Sequence, residues 1–324
     1  KKKEKDAEKI TNEIRAKIED TKIPQDLLDV LQKELESLKP KVPKQRVAVR
    51  SSGITEDLPQ AAFAGQFESY LNVPFTDEVR PSILKCLASA YLWRVVHYRQ
   101  RLREQNMLKI TEKELLESGQ IAVIIQAMVD SEKAGVAFSI DPDTGNRNVG
   151  VIQAIYGLGE MLVQGRENAS WTAFSKVPSI IVLGTIARTP QKEMQVYDAK
   201  TKKNVIVPVA KKDPKVITHG EAHQLAEMVK KIEDAYGQPV DVEYAIEGGK
   251  ISIVQARGET VHTTKASITI HRLKESPRAP PITRGIAVGT KVTSGHIVYA
   301  KDHLEARKKV EESNKRKQKP ILVT

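Results

Sequence analysis

The chain has 324 residues, of which 40% are hydrophobic and 29% charged, and this balance predicts a soluble, cytoplasmic globular protein with one large domain or two moderate ones. No apolar run is long enough to span a bilayer, no signal peptide opens the chain, and the single cysteine, Cys86, excludes an intrachain disulfide. The net charge of +11 does not predict a nucleic-acid partner, because the lysines are mixed with glutamates and only 5% of residues are aromatic.

The first hundred residues combine helical periodicity with two strand-like segments. Prolines mark the boundaries of the helices, since proline is tolerated in a first helical turn and stops a helix elsewhere. We predict helices over residues 1–20, from Pro24, and from Pro81 to about Arg103, with strands at 47–49 and 66–73.

Strand patterns dominate between residues 121 and 256. The apolar run Ile121–Val129 predicts a buried strand. One helix is expected from about Glu221 to Tyr236, and Thr218 with Glu221 forms a capping-box pattern at its start. Further strands are predicted at 135–140, 149–156, 179–183, 205–209, 240–246 and 251–256.

The composition changes after Arg257. Residues 261–282 are polar and contain three prolines, which is typical of a linker between domains. New β-structure is expected up to Ala300, followed by a charged helix from Leu304 and a last strand from Ile321. We therefore expect one domain over residues 1–260, a linker over 261–282, and the beginning of a second domain over 283–324.

A strand that leads into a loop of small residues is the first chemical signal. Arg50 ends the apolar strand, a loop with Gly65 follows, and Ser69 lies in the next strand. Small residues allow loop amides to approach phosphate oxygens, and an arginine supplies a planar cation for them. The pattern predicts a polyphosphate site without a GxxxxGK[ST] fingerprint, but it fits equally a hairpin whose arginine makes a structural ion pair.

The hairpin at residues 240–256 carries the second chemical signal. Strand alternation places Asp241 and Glu243 on one face, and Gln255 and Arg257 on one face of the partner strand. Carboxylate and amide oxygens are ligands for Mg²⁺, and an adjacent arginine can neutralise phosphate. The same alternation also fits an exposed polar face of an antiparallel sheet.

The segment from Val47 to Val73 resembles the signature of the ATP-grasp domain in the phosphoenolpyruvate synthase, pyruvate phosphate dikinase and rifampicin phosphotransferase family. The positions that match the signature are Arg50, Ser51, Ser52, Glu56, Asp57, Leu58, Pro59, Phe63, Ala64, Gly65, Gln66, Ser69, Tyr70, Leu71 and Asn72. The resemblance extends over roughly residues 24–324. It implies an α+β ATP-grasp fold, with two α+β lobes around a nucleotide cleft, followed by the beginning of a swivelling phosphohistidine domain.

The resemblance also implies roles for the phosphate and metal residues. Arg50 and Arg257 correspond to the catalytic, phosphate-contacting arginines, while the Gly65 loop and Ser69 would cradle the phosphates. Glu243 and Gln255 match the magnesium ligands of the family. Asp241 matches a nearby acidic position and is a further candidate for the metal site.

Two more segments match the family around the nucleoside. Gln126, Met128 and Val129 fall in the strand that presents backbone groups to adenine in the resembling enzymes. Glu160 lies in a GLGE motif and is a candidate for contact with the ribose or the metal shell. Asn168, Ala169 and Ser170 stand where the family has Thr-Pro-Asp, so this loop departs from the pattern.

In the full enzymes the reaction converts ATP, pyruvate and water to AMP, phosphoenolpyruvate and phosphate through a phosphohistidine, a dikinase-type transfer with paired acceptors. The sequence contains no counterpart of the opening Gly-Lys-Gly segment, the phosphohistidine loop or the pyruvate-binding barrel. We therefore expect the chain alone to be inactive and to reach its acceptor through further domains. The alternatives are a related enzyme with another acceptor, such as rifampicin or a glucan, and a nucleotide-binding module without catalysis. The sequence is compatible with a homo-oligomer and does not decide the oligomeric state.

Overall fold

The computed structural model describes residues 2–42, 44–53, 57–58, 61–62, 67–104, 121–186, 190–210, 213–259, 295–299, 303–316 and 320–323. The chain falls into two compact units, Lys1–Ala266 and Ser267–Thr324. The predicted linker at 261–282 and the loop around Gly65 lie outside the described residues. The proposed domain limits of 1–260 and 283–324 therefore stay predictions.

Helices and strands alternate along the first unit. The described helices are α1 (Lys2–Glu19), α2 (Gln25–Leu38), α3 (Val79–Ala88), α4 (Trp93–Glu104), α5 (Glu160–Val163), α6 (His219–Tyr236) and, in the second unit, α7 (His303–Lys315). The described strands are β1 (Arg46–Gly53), β2 (Asp57–Leu58), β3 (Ala61–Ala62), β4 (Ser69–Pro74), β5 (Ile121–Ala127), β6 (Lys133–Phe138), β7 (Val149–Tyr156), β8 (Ser170–Ser175), β9 (Ile181–Ile186), β10 (Glu193–Asp198), β11 (Lys203–Pro208), β12 (Val240–Glu247), β13 (Lys250–Gly258), β14 (His296–Tyr299) and β15 (Pro320–Val323).

A three-stranded antiparallel sheet forms the first lobe, with β1 between β4 and β5. Val47 and Val49 of β1 are fully buried and pack in one cluster with Cys86 of α3. The Cys86 thiol donates to the carbonyl oxygen of Val49 at 3.3 Å. The central strand is thus held on both edges by hydrogen bonds and on one face by α3, and it carries Arg50 in its carboxyl-terminal half.

A six-stranded antiparallel sheet in the order β13-β12-β6-β7-β8-β9 forms the second lobe. Helix α6 packs against this sheet and buries Leu225 and Val229 in the same core as Val242 and Tyr244. The helix begins with the predicted capping box, in which the Thr218 hydroxyl accepts from the Glu221 amide at 3.2 Å and the Glu221 carboxylate accepts from the Thr218 amide at 2.7 Å.

The remaining described strands form three two-stranded sheets, of which the β2–β3 pair is the shortest. Strands β10 and β11 form an antiparallel hairpin in the first unit. In the second unit β14 and β15 pair in parallel, and α7, which connects them, contacts both strands. No helix among the described residues is both long and apolar enough to cross a membrane.

Two predicted elements differ from the structure, and the strands β8 and β10 were not predicted. The single helix expected from Pro81 is wrong: α3 begins at Val79 and ends at Ala88, and a 3-10 turn at Ser89–Tyr91 separates it from α4. The Ser89 hydroxyl donates to the Cys86 carbonyl at 2.6 Å, a local bond of the kind that competes with continued helix.

The strand expected over Ile121–Val129 ends at Ala127 and is only partly buried, with Ile124 50% exposed. Apolar character alone predicted burial, but Ala122 and Ile124 on one face of β5 are exposed. The patterns did not predict β8 and β10, because their mixed sequences SWTAFS and EMQVYD lack a strong apolar run.

Candidate nucleotide site

A cleft of about 1410 Å³ opens between the three-stranded and six-stranded sheets of the first unit. Side chains from both sheets line it, so the residues that bear chemistry come from distant parts of the chain. All the predicted site residues that the structure describes line this one cleft: Arg50, Ser69, Gln126, Met128, Val129, Glu160, Asp241, Glu243, Gln255 and Arg257. Gly65 lies outside the described residues.

The Arg50 guanidinium joins the two lobes at the centre of the cleft. Its Nη2 donates to Oε2 of Glu243 at 2.9 Å and also to Oε1 of Gln255. The hairpin register explains why the two acceptors converge, because Glu243 of β12 lies directly opposite Gln255 of β13. Two oxygens from adjacent strands therefore meet at a single cationic nitrogen.

A β-bulge helps to hold this arrangement. The pairing shifts after Glu243, so that Val254 is an extra residue on β13. A bulged residue leaves the ladder locally unpaired. The Val254 carbonyl oxygen accepts from Nη1 of Arg50 at 3.3 Å and from Nε2 of Gln126 at 3.1 Å. The bulge thus supplies an acceptor that ties β1 and β5 of the first lobe to β13 of the second.

Asp241 and Arg257 form a separate ion pair on the same hairpin, two residues along each strand from Glu243 and Gln255. Nε of Arg257 donates to the two carboxylate oxygens at 2.8 and 2.9 Å, and Nη2 donates at 2.7 Å. Burial raises the pKa of Asp241 above its ordinary value, more than the neighbouring guanidinium lowers it. Both oxygens of Asp241 are thus engaged by Arg257, while Glu243 and Gln255 share Arg50.

The geometry can be tested against a magnesium ion. Glu243 and Gln255 place a carboxylate and an amide oxygen around one position, and both are hard ligands of the type that Mg²⁺ takes. In the described residues no cluster of three or more His, Cys, Asp or Glu side chains could hold a metal. The chemistry of these two donors fits a magnesium ion, while Asp241, which is engaged by Arg257, stays a further predicted candidate.

The segment predicted to hold adenine lies at the edge of the cleft next to β1. The backbone N–H of Met128 donates to the carbonyl of Arg46 at 3.1 Å, and the carbonyl of Val129 accepts from the Ser131 amide at 2.9 Å. The side chain of Gln126 is engaged by Val254, so its contact with the second lobe is structural.

Ser69 and Glu160 occupy two other borders of the cleft. Ser69 pairs directly with Arg50 in the β1–β4 register, which places it beside the cation centre. Glu160 begins the short helix α5 and accepts from Nε2 of Gln164 at 2.8 Å.

A family model described as "Pyruvate phosphate dikinase, AMP/ATP-binding domain" matches residues 1–276. The chain belongs to this family. The match confirms the resemblance read from the Arg50 segment, and the mixed helices and antiparallel sheets confirm the predicted α+β class.

Curated relatives of this AMP/ATP-binding domain are phosphoenolpyruvate synthases. The probable phosphoenolpyruvate synthase of Archaeoglobus fulgidus is 36% identical over 280 residues, which cover 86% of this chain and 34% of the relative. The phosphoenolpyruvate synthase of Aquifex aeolicus is 35% identical over 326 residues, with 93% of this chain and 37% of the relative covered. The chain thus spans about a third of the length of these relatives.

Sequence reasoning missed one group of residues around the cleft of this AMP/ATP-binding domain. Arg46 of β1 and Asn72 of β4 contact Tyr197 and Asn204 of the β10–β11 hairpin. Asn72 was part of the matched signature, but its role was not apparent from the pattern. Asn204 had no local signal, because an asparagine in a polar strand is indistinguishable from a surface residue.

Proposed function

We propose that the cleft binds ATP together with Mg²⁺ and acts as the nucleotide-binding domain of a phosphoenolpyruvate synthase-like phosphotransferase. One observation carries the proposal: Arg50, Glu243 and Gln255 come from separate parts of the sequence and meet in one cleft, which Met128 and Val129 also line. A cation, a carboxylate and an amide oxygen at one point are what a metal-bound polyphosphate requires.

Each residue then has a distinct task. Glu243 and Gln255 would hold Mg²⁺, which supplies neutralisation of phosphate charge when it is bound. Arg50 and Arg257 would hold phosphate oxygens, with Ser69 beside them. Arg257 would exchange one of its bonds to Asp241 for a phosphate oxygen, since a guanidinium has five N–H donors to distribute.

The nucleoside would lie at the other end of the cleft. The backbone of Met128 and Val129 would border the adenine, and Glu160 would face the ribose. Many small-molecule sites have a volume of about 300–1,000 Å³. The cleft, at about 1410 Å³, is larger, which suits an extended nucleotide and an open entrance.

The acceptor is part of the same proposal for the whole protein. The relatives are named phosphoenolpyruvate synthases, which favours pyruvate over rifampicin or a glucan as the final acceptor. The overall reaction would convert ATP, pyruvate and water to AMP, phosphoenolpyruvate and phosphate through a phosphohistidine. Because the chain spans about a third of these relatives, we assign it only the nucleotide-binding part.

Calorimetry with a non-hydrolysable ATP analogue tests the site. We expect the chain to bind the analogue more tightly with Mg²⁺ than without it. Glu243→Gln and Gln255→Ala should each reduce this Mg²⁺ enhancement roughly tenfold, the effect of losing one charge-assisted contact. Asp241→Asn should reduce it less.

Glu227→Gln provides a matched control, because Glu227 lies exposed on α6 away from the cleft. The control should bind like the parent chain. If Glu243→Gln and Gln255→Ala keep the full Mg²⁺ enhancement, the β12–β13 hairpin does not hold the metal and the proposed site is wrong.

A further inference from the structure

The β10–β11 hairpin forms a wall of the nucleotide cleft without belonging to either large sheet. Gln195, Lys202, Lys203 and Asn204 of this hairpin and its turn line the cleft. Among the described strands, β10 and β11 pair only with each other. The position of this wall therefore depends on contacts at the ends of the hairpin rather than on a continuous ladder.

One end of the hairpin is attached to the second lobe. The amide of Leu158, just after β7, donates to the carbonyl of Gln195 at 2.9 Å. The buried side chain of Gln191 accepts from the Tyr156 amide at 2.7 Å and donates to the Tyr156 carbonyl at 3.0 Å. These contacts join the beginning of β10 to the end of β7.

The other end is attached to the first lobe by four residues that we call the hairpin clamp: Arg46, Asn72, Tyr197 and Asn204. The guanidinium carbon of Arg46 lies 4.0 Å from the centre of the Tyr197 ring. Nδ2 of Asn72 donates to Oδ1 of Asn204 at 2.7 Å. Nη1 of Arg46 donates to Oδ1 of Asn72 at 2.6 Å, which couples the two contacts.

The two members of the clamp on the first lobe are held in place tightly. Arg46 and Asn72 are 8% and 4% exposed. Arg46 is also paired with Asp130. Asn72 has a φ of 59°, in the left-handed region that asparagine enters more readily than most residues. Such a conformation persists at a buried position only where the surroundings determine it.

The clamp is also adjacent to the segment proposed for the base. The carbonyl oxygen of Arg46 accepts from the amide of Met128 at 3.1 Å. Arg46 therefore holds the backbone of Met128 and also supplies a side chain of the clamp. A displaced hairpin would move a cleft wall away from Met128. The hairpin therefore spans the cleft, with one end on each lobe.

We propose that the hairpin clamp sets the position of the β10–β11 wall and thereby the affinity for the nucleotide. Arg46 and Asn72 are positioning residues in this proposal, which rests on the proposed function of the cleft. They act on the nucleotide through Tyr197 and Asn204.

Asn72→Gly, Asn204→Ala and the double variant test the proposal. Glycine accepts the positive φ of Asn72 and removes only the side-chain amide. Each single variant should bind the ATP analogue about tenfold more weakly, and the double variant should lose clearly less than the two single losses combined, since both variants remove the Asn72–Asn204 contact. Hydrogen exchange of residues 193–208 should quicken about tenfold without nucleotide, while exchange in β12 and β13 stays unchanged.

Asn148→Ala is the matched control, because Asn148 is an exposed asparagine in the turn before β7. If the buried Asn72 variant fails to fold, the partly buried Asn204→Ala carries the test. Parent-level affinity or fully additive losses would overturn the positioning role. A parent chain that binds no ATP analogue would instead overturn the proposed function of the cleft.

Discussion

Replacement of Arg50 by methionine should have opposite effects on the metal and on the nucleotide. Nη2 of Arg50 contacts both oxygens that we assign to Mg²⁺. A metal ion and a guanidinium cannot occupy this position together, so a metal that arrives alone must displace Arg50. Once a nucleotide is present, its phosphates provide a second place for the guanidinium. We therefore expect Arg50 to oppose binding of the metal alone and to favour binding of the metal-nucleotide complex.

The magnitude follows from the burial of the pair. The side chains of Arg50 and Glu243 are 17% and 33% exposed, so solvent screens their interaction only in part. A hydrogen bond between charged groups in such a setting contributes about 1.5–3 kcal/mol. Arg50→Met should thus raise the affinity for the metal alone by roughly tenfold to a hundredfold, and lower the affinity for the ATP analogue by a similar factor.

Titration with Mn²⁺, followed by electron paramagnetic resonance, measures the metal alone, and calorimetry in the presence of Mg²⁺ measures the ATP analogue. Arg80→Met is a suitable control, because Arg80 is an exposed arginine on α3 that does not line the cleft. An Arg50→Met variant whose Mn²⁺ affinity equals that of the parent would refute the reasoning, since the guanidinium would then not compete for the metal position.

Three further predictions concern stability and reactivity. Burial raises the pKa of Asp241 above its ordinary value of 3.8. Just above about pH 4, therefore, Asp241 keeps its proton more often in the folded chain than in the unfolded chain. The free energy of unfolding then falls as the pH rises. Chemical denaturation should therefore show that the free energy of unfolding of the parent, relative to that of Asp241→Asn, decreases from about pH 4 upward. A difference between the two chains that does not change with pH would contradict this. Thr218→Ala removes one half of the capping box and should cost about 1 kcal/mol in thermal unfolding, against no change for Ser179→Ala, which alters an exposed hydroxyl in a loop. Burial raises the pKa of Cys86 to about 12, so a thiol reagent at neutral pH should label it only after denaturation, and rapid labelling of the folded chain would show that α3 opens.

The β12–β13 hairpin shows which structural features a local sequence pattern can predict. Its two strands were predicted, and so were the faces that Asp241 shares with Glu243 and Gln255 shares with Arg257, because strand alternation acts over a few residues. Gly248 and Gly249 have φ values of 56° and 80°, which the turn requires and few other residues adopt. This turn fixes the register beside it, where Glu247 lies opposite Lys250, but the pairing of Glu243 with Gln255 also requires the bulge at Val254.

Local pattern failed where a tertiary contact decided the outcome. Strand β5 was only half buried, although its apolar run favoured a core strand. The bulge at Val254 had no signature in the sequence. Each of these features depends on which surface the segment meets after folding.

The sequence by itself determined the family, the α+β class and several of the residues that line the cleft, because motifs, turns and strand alternation are local properties of the chain. Only the tertiary structure decided their partners. Arg50 lies 193 positions from Glu243 and 205 from Gln255, and Asn72 lies 132 from Asn204. No local pattern specifies such pairs, since they form only when elements distant in the sequence pack together and bring their polar groups within hydrogen-bonding distance.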